Sequence, residues 1–428
     1  MKRVFTSIVS LLAVICANSQ TITITAEVSE TERTFEFCTL ADKTPITIDW
    51  GDGQVVEGCE GTIDDGYGTT VKATGTVKGE GVIKIYGEGI TYFDCVSRVD
   101  GASITHIDLS NAKDLEKLYA NGNVRLTAID LTPCTKLTTV DLSNDPIASI
   151  DLSKCVNLTS LSINGTAETP CALTEIDLSN NTLLKSIKLN YNDIKSIDIS
   201  NNQALTSFYC LNNGLENIVL PEELPACTYF SVNNNSLTSF DASCFTAMSA
   251  SKGSIFLLNN ELKEATNLKG KSVNISKNYF TISTMPDATN VKTLTYVPQK
   301  DMTVAETVGK SIDLSSEYDG GNTTYALYYE DNSTVDAGDY TVEKGIITFN
   351  SNLDGKKLYV SMTSSTWAKF TGTNALKTTV FTIDTSTGID NVVESIDSNS
   401  PAYNLQGQRT GIKSKGIIIQ NGRKFTVK

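Results

Sequence analysis

The chain has 428 residues, with 35 Lys and Arg against 49 Asp and Glu, for a formal net charge of −14. So acidic a chain lacks the phosphate-neutralising surface that nucleic-acid binding requires, and its length points to about two to four domains rather than one core. One histidine and cysteines without C-x-x-C spacing leave no zinc motif.

The chain opens MKRVFTSIVSLLAVICANSQT, which places basic Lys2 and Arg3 before an apolar run to Cys16 and a small-residue exit at Ala17, Asn18 and Ser19. These are the three parts of a secretory signal in order, so residues 1–19 are predicted to be a signal peptide and Gln20 the mature start. Lipoprotein cleavage before Cys16 is the alternative, against which Ile15 is a poor preceding residue. No other apolar run reaches the ~20 residues of a membrane helix. Ten cysteines become nine after cleavage, an odd number that leaves at least one thiol free or paired with another molecule. Cys38 and Cys59, close in sequence, are the expected bridge in an exported chain.

Residues 20–92 alternate in the manner of strands, in TITITAEV, RTFEFCTL and VIKIYGEG, with glycine-rich turns between. The phrase ITIDWGDGQ resembles the Trp-Gly-Asp-Gly turn of PKD-type β-sandwiches, which implies an extracellular binding or adhesion module. Asp52 is expected to organise that turn, with calcium binding by the loop as the alternative. A domain here would cover the open apolar end of whatever repeats follow.

From Phe93 to residue 297 the sequence repeats. Strand positions fall at Leu118, Val140, Leu161, Ile187, Phe208, Phe230, Ile255 and Val273, with an early turn around Phe93 and a spacing mostly of 21 or 22. A period in the twenties containing L-x-x-L-x-L-x-x-N-x-L is a leucine-rich repeat pattern. Alternate residues such as Ile187 and Leu189 should point inward, and stacked coils would bury one continuous core. The motif closes on Asn123, Asn192, Asn213, Asn235, Asn260 and Asn278, whose amides can bond orphaned backbone groups at the turn. Asp145 and Thr166 are the exceptions. Insertions at 166–172 and 246–253 must loop outward.

The second half of each repeat echoes the first in IDLS-like phrases opened by Ile107, Ile129, Ile150, Ile176, Ile197, Ile218 and Phe240. This nesting resembles the 21-residue class of bacterial leucine-rich repeats common in surface proteins of Bacteroidetes, over roughly residues 93–283. The resemblance implies short, almost helix-free coils. Cys134 and Cys155 occupy the position of Asn181 and Asn202, while Cys95 and Cys210 replace core residues. A column of acids (Asp108, Asp130, Asp151, Asp177, Asp198 and Asp241, interrupted by Val219) would either recruit a cation or bond neighbouring amides and serines.

Residues 298–385 carry a different strand pattern, in SIDLSSEY, YALYYED, KLYVSMTS and TVFTID, expected to form a second β-sandwich. A Ser/Thr/Asp/Asn-rich linker, 386–400, leads to a basic tail at 401–428. The tail resembles the C-terminal sorting domain of the type IX secretion system through Tyr403, Asn404, Leu405, Gly407, Arg409, Lys415, Gly416, Ile417, Ile419, Gly422 and Lys424. That resemblance implies contact with secretion machinery; a plain basic hairpin is the alternative. The fold expected is thus mainly β, a leucine-rich repeat solenoid with parallel strands flanked by N- and C-terminal β-sandwich domains.

No phosphate loop, nucleophile elbow or paired-carboxylate motif stands out, so neither catalysis nor a cofactor is expected. His106, beside a core isoleucine, is expected to be structural. Function should then lie on outward strand positions, where Tyr191, Tyr209, Leu211, Phe256 and Leu258 gather the aromatic and aliphatic side chains that protein contacts favour. The reading is a secreted or cell-surface repeat protein, on the outside of a Gram-negative bacterium, that binds an extracellular protein, possible adhesion included. A glycan-binding protein and an envelope structural protein are the alternatives.

Overall fold

The computed structural model describes residues 20–39, 46–62, 69–97 and 103–385, with the tail strands Ala402–Tyr403, Arg409–Thr410, Gly416–Gln420 and Arg423–Val427. The expected signal peptide and linker, and Asn404, Leu405, Gly407 and Lys415, lie outside the described residues, as does the side chain of Cys59 that was to bridge Cys38. Strands and four short 3-10 turns make up the regular structure; no α-helix occurs among the described residues. The chain divides into two compact units, Met1–Asn278 with Pro286–Tyr296, and Tyr279–Met285 with Val297–Lys428.

The first unit is built on a 13-stranded sheet. Ten of its strands are parallel, and most are three residues long. Their centres pair in one unbroken register: Phe93, Leu118, Val140, Leu161, Ile187, Phe208, Phe230, Ile255, Val273. Every position taken from the sequence period stands on this line. One further strand, Asn290–Thr295, pairs Leu294 with Val273 beyond the expected series. The flanking alternate residues point inward, so that Ile187 and Leu189 are both fully buried. The fold is a leucine-rich repeat solenoid, mainly β, and its core is this stack of aliphatic and phenylalanine side chains.

What closes each coil is the asparagine. Asn192 Nδ2 donates to the Leu189 carbonyl of its own turn at 3.1 Å and to the Ile163 carbonyl of the preceding coil at 2.8 Å. Its Oδ1 accepts from Leu173 N at 3.1 Å. Asn235 and Asn260 repeat the pattern, so the rungs form a buried ladder. The residue before each rung takes a left-handed backbone, as at Asn144, Asn212, Asn234 and Asn259, a conformation asparagine tolerates well. Thr166 is exposed because the 166–172 insertion leaves the coil there; Cys171 N rejoins it on Tyr191 O at 3.0 Å.

Asp145 occupies a rung without an amide. It is fully buried; Oδ1 accepts from Asn123 N at 2.6 Å, while Oδ2 has no partner. Burial raises its pKa to about 9, so at neutral pH the folded chain holds it protonated, with an O–H to offer where its neighbours offer an amide.

The N-terminal region joins the solenoid edge to edge. Strand Glu32–Thr39 pairs antiparallel with Ile90–Asp94, the first strand of the parallel series, and carries Thr69–Thr76 and Cys59–Thr62 beyond it. A second sheet runs in the order Val55–Glu57, Thr47–Asp49, Val82–Tyr86, Gln20–Ala26, Ile104–Asp108. His106 lies in its last strand, opposite Thr25. Phe35 stacks on Trp50 at 5.2 Å, and Phe35, Phe37 and Phe93 are fully buried, so this region seals the apolar end of the coils. The buried Arg33 reaches from it to Asn123 Oδ1 at 3.0 Å, the first rung of the ladder. In the Trp-Gly-Asp-Gly turn, Asp52 accepts from Gln54 N and pairs with Lys78 at 2.9 Å. Asp49 accepts from both Gly51 N and Gly53 N. Gly51, at φ +104, could carry no side chain there, since a Cβ would stand 2.3 Å from Lys78 O.

The second unit holds one sheet in the order Thr307–Val308, Phe381–Ile383, Lys357–Ser364, Thr323–Tyr329, with Leu376–Lys377 on the third strand. A three-stranded sheet of Ser311–Asp313, Ile346–Phe349 and Tyr340–Glu343 accompanies it, and Phe370, Phe381 and Leu358 are buried. The tail strands form a separate sheet in which Tyr403 pairs with Arg409 on one side and Ile419 on the other.

The ladder makes a testable statement about pH. In the unfolded chain Asp145 ionises near the ordinary carboxylate value; in the folded chain it holds its proton to about 9. Its contribution to stability is therefore complete in acid and lost as pH rises across that window. Asp145→Asn restores the amide and removes the titration. The variant should gain on the order of 1–3 kcal/mol at pH 8 and show a flatter stability profile above pH 5, read by denaturant unfolding at several pH values.

Candidate functional site

Short strands set the spacing of the outward side chains. Parallel neighbours stand about 4.8 Å apart, so equivalent positions on successive coils form columns, and large side chains in adjacent columns can touch. Tyr209, Ser231 and Phe256 share one column through the pairings Tyr209 with Ser231 and Ser231 with Phe256. Ser231 leaves a gap between two rings, which Tyr229 fills from the flanking column. Its ring stacks on Tyr209 at 4.7 Å and meets Phe256 at 5.3 Å. The result is a continuous strip of three half-buried rings across three coils, with Ser231 fully covered beneath it.

Leu211 and Leu258 lie half-buried in the next outward column on the first and last of these coils. Their backbones are held by Asn190 Oδ1, which accepts from Leu211 N at 3.0 Å, and Asn233 Oδ1, which accepts from Leu258 N at 2.8 Å. Of the five residues expected from sequence, the structure thus brings Tyr209, Leu211, Phe256 and Leu258 together. Tyr191 stands apart. It occupies the left-handed turn position at φ 55, with its N–H on Leu211 O at 2.9 Å, and its ring takes no part in the stack. Tyr229 is the residue missing from the sequence-derived set, because it precedes the core Phe230 and belongs to a column that holds Ser on the coils to either side of it, Ser207 and Ser254. A second, smaller pair, Tyr92 and Tyr119 at 5.5 Å, lies near the start of the sheet.

The opposite face carries the acid column. Each carboxylate accepts from the backbone N–H two residues on: Ser110 onto Asp108, Thr132 onto Asp130, Ser153 onto Asp151, Ser179 onto Asp177, Ser200 onto Asp198 and Ser243 onto Asp241, at 2.8–3.0 Å. The column is a series of Asx turns. Hydrogen bonds from serine hydroxyls and amides hold Asp108, Asp151 and Asp198 below the ordinary carboxylate range. Behind it the expected interchange of Cys and Asn holds. Cys134 and Cys155 aim their thiols at the Leu109 and Leu131 carbonyls, as Asn181 and Asn202 aim amides at Leu152 and Leu178. Burial pushes the Cys134 and Cys210 thiols up to about 12, which leaves them packed rather than nucleophilic.

Among solved structures, the chain is similar to the functional domain of InlJ from Listeria monocytogenes, which includes a cysteine ladder, at 19% identity over 65% of this chain and 69% of that one, with a TM-score of 0.38. It is similar to InlP from the same organism at 17% identity, over 65% and 76%, with a TM-score of 0.39. The internalin InlF, also from Listeria monocytogenes, follows at 18% identity, 44% and 76%, and 0.22. No protein-family model and no curated protein matches the chain.

Carboxylates held below their ordinary range stabilise the fold above that range, and the gain is lost as pH falls through the lowered values. Acidification below about pH 4 should therefore lower the melting temperature, modestly for each exposed carboxylate. Millimolar calcium should leave it unchanged, because one oxygen of each carboxylate already holds an amide and no group of three or more such side chains placed to share an ion occurs among the described residues. Calorimetry over pH and calcium concentration reads both.

Proposed function

We propose that the chain is a non-enzymatic repeat scaffold that binds a protein partner through the Tyr209–Tyr229–Phe256 strip, with Leu211 and Leu258 at its edge. The observation that carries this reading is the stack itself. Three large rings are held in line by mutual contact and a rigid sheet, yet remain half accessible. Rings fixed in this way lose little rotamer freedom on binding, which is what makes tyrosine effective at interfaces.

The partner is read as an extracellular protein, with adhesion to a host or neighbouring cell as the setting. That setting rests on the signal-like N terminus and the sorting-like tail through Tyr403, Asn404, Leu405, Gly407, Lys415 and Gly416, so it also implies export to the outer surface of a Gram-negative cell. A glycan reading draws support from the stacked tyrosines. Against it, Asn190 and Asn233 in the neighbouring column already spend their carbonyl oxygens on backbone N–H groups, which weakens their use as hydroxyl acceptors.

The test is a binding screen of the mature chain against extracellular-matrix proteins and a glycan array, with a Tyr209→Ser, Tyr229→Ser, Phe256→Ser variant beside it. Protein hits should weaken at least tenfold in the variant, since a buried aromatic anchor is worth about 2 kcal/mol or more, and the melting temperature should hold. Binding that survives the triple substitution, or hits confined to glycans, would overturn the reading.

A further inference from the structure

On the face opposite the aromatic strip, the later coils form parallel strand pairs, Ser196–Asp198 with Asn217–Val219 and Ser239–Asp241 with Glu264–Thr266, which do not join each other. The two middle coils are tied on either side of this break, by Ser236 N on Leu215 O at 2.9 Å and Leu224 N on Cys244 O at 2.7 Å. Between those ties lies a cleft of about 410 Å³. Its walls are Glu216, Asn217 and Ile218 on one side and Thr238, Ser239 and Asp241 on the other, with the buried Leu237 and Phe240 behind.

The register decides which groups face the opening. Asn217 N bonds Lys195 O, and Val219 O accepts from Ile199 N, so residues 217 and 219 point toward the earlier strand. Alternation along a parallel strand then turns the N–H and C=O of Ile218 into the cleft. On the other wall, Thr238 O and Ala242 N are spent on Lys263 and Thr266, which leaves Ser239 and Asp241 facing Ile218. No backbone bond crosses between these strand edges. Val219, 42% exposed, sits beside the cleft at the one point where the acid column is interrupted.

Charge identifies the occupant. Residues 196–251 carry Asp198, Glu216, Glu222, Glu223 and Asp241 and no lysine, arginine or histidine, while Lys195 and Lys252 stand at the two ends of that span and Lys263, whose N–H bonds Thr238 O, lies on the next coil. Asp241 is engaged by Asn267 at 2.8 Å and by Ser243, and Lys269 donates to the Ser243 carbonyl at 3.1 Å at one end. Glu216 is exposed on the wall. A slot that presents strand-edge carbonyls beside an exposed carboxylate matches a flat, multiply donating cation, which is the chemistry of a guanidinium, and the N–H groups of the same edges are left for the main chain that carries it.

We propose that this cleft docks an extended segment of a basic protein partner, with an arginine side chain entering between the Ile218 and Ser239–Asp241 edges and the segment's main chain pairing with them. The site is separate from the aromatic strip and does not depend on it.

The probe is a labelled pentapeptide, acetyl-Ser-Val-Arg-Val-Ser-amide, titrated into the mature full-length chain beside its citrulline analogue, which keeps the shape and removes the charge. Saturable binding of the arginine peptide is expected, at least tenfold tighter than the citrulline peptide. It should be weakened severalfold by Glu216→Gln and accompanied by slowed amide exchange at residues 216–220 and 238–242. Ser239→Arg, which places a guanidinium in the cleft in cis, should block it, while the triple strip variant should bind as the parent does. Equal affinity for the two peptides, no saturable binding, or slowed exchange elsewhere on the chain would overturn the proposal.

Discussion

The side-chain amide of the turn asparagine is the constraint on which the rest of the solenoid depends. A coil of 21 or 22 residues must reverse direction twice, and each reversal leaves buried carbonyls and N–H groups that no strand partner can reach. Asn235 answers three of them at once, the Val232 and Cys210 carbonyls and the Leu215 N–H, from a single side chain. Because two of those partners lie on the preceding coil, each rung also fixes the stacking of its neighbour. The Arg33 guanidinium on Asn123 extends the same logic into the N-terminal sheet.

With the turn secured from within, the outward positions need not be apolar, and some of them, such as Asn190 and Asn233, add bonds between coils of their own. Hence the same coils that repeat strictly at Leu118, Val140 and Leu161 vary freely at Tyr119, Asp141 and Ser162. Two consequences appear on opposite faces of coils 196–266. On one, rings from two columns meet over Ser231 and make an accessible strip. On the other, the strand pairing lapses, and backbone groups are left facing an acidic cleft. Titration pulls the scaffold in two directions, since the Asx-turn aspartates favour the fold above the acid range and Asp145 favours it below.

The repeat was legible in the sequence because buried apolar spacing is a one-dimensional property. Every coil centre from Phe93 to Val273 could be placed by counting, while the coil through Leu294, at the end of the series and with Gln299 where its asparagine would be, falls outside that count. The acid column resolved into Asx turns, the bonding alternative of the two that its spacing allowed. Contacts between columns were less accessible. Tyr229 is one residue from a core phenylalanine, and nothing in its own coil shows that Ser231 leaves room for it. Tyr191, two residues beyond Leu189, falls on the turn where the backbone is left-handed; it bonds Leu211 through its N–H, and its ring joins none of the three stacked ones. The lapse in pairing at Asn217–Val219 had a faint signal in Val219, the single break in the acid column.

The central claim is that inward amides hold the coils while outward rings are free for recognition. Amide hydrogen exchange on two variants of the mature chain tests it directly. The account predicts that replacing Tyr209, Tyr229 and Phe256 together by serine leaves protection along the parallel strands as in the parent, and that Asn235→Leu strips protection from the strands through Phe208, Phe230 and Ile255. Loss of protection in the ring variant, or its retention in the asparagine variant, would contradict it.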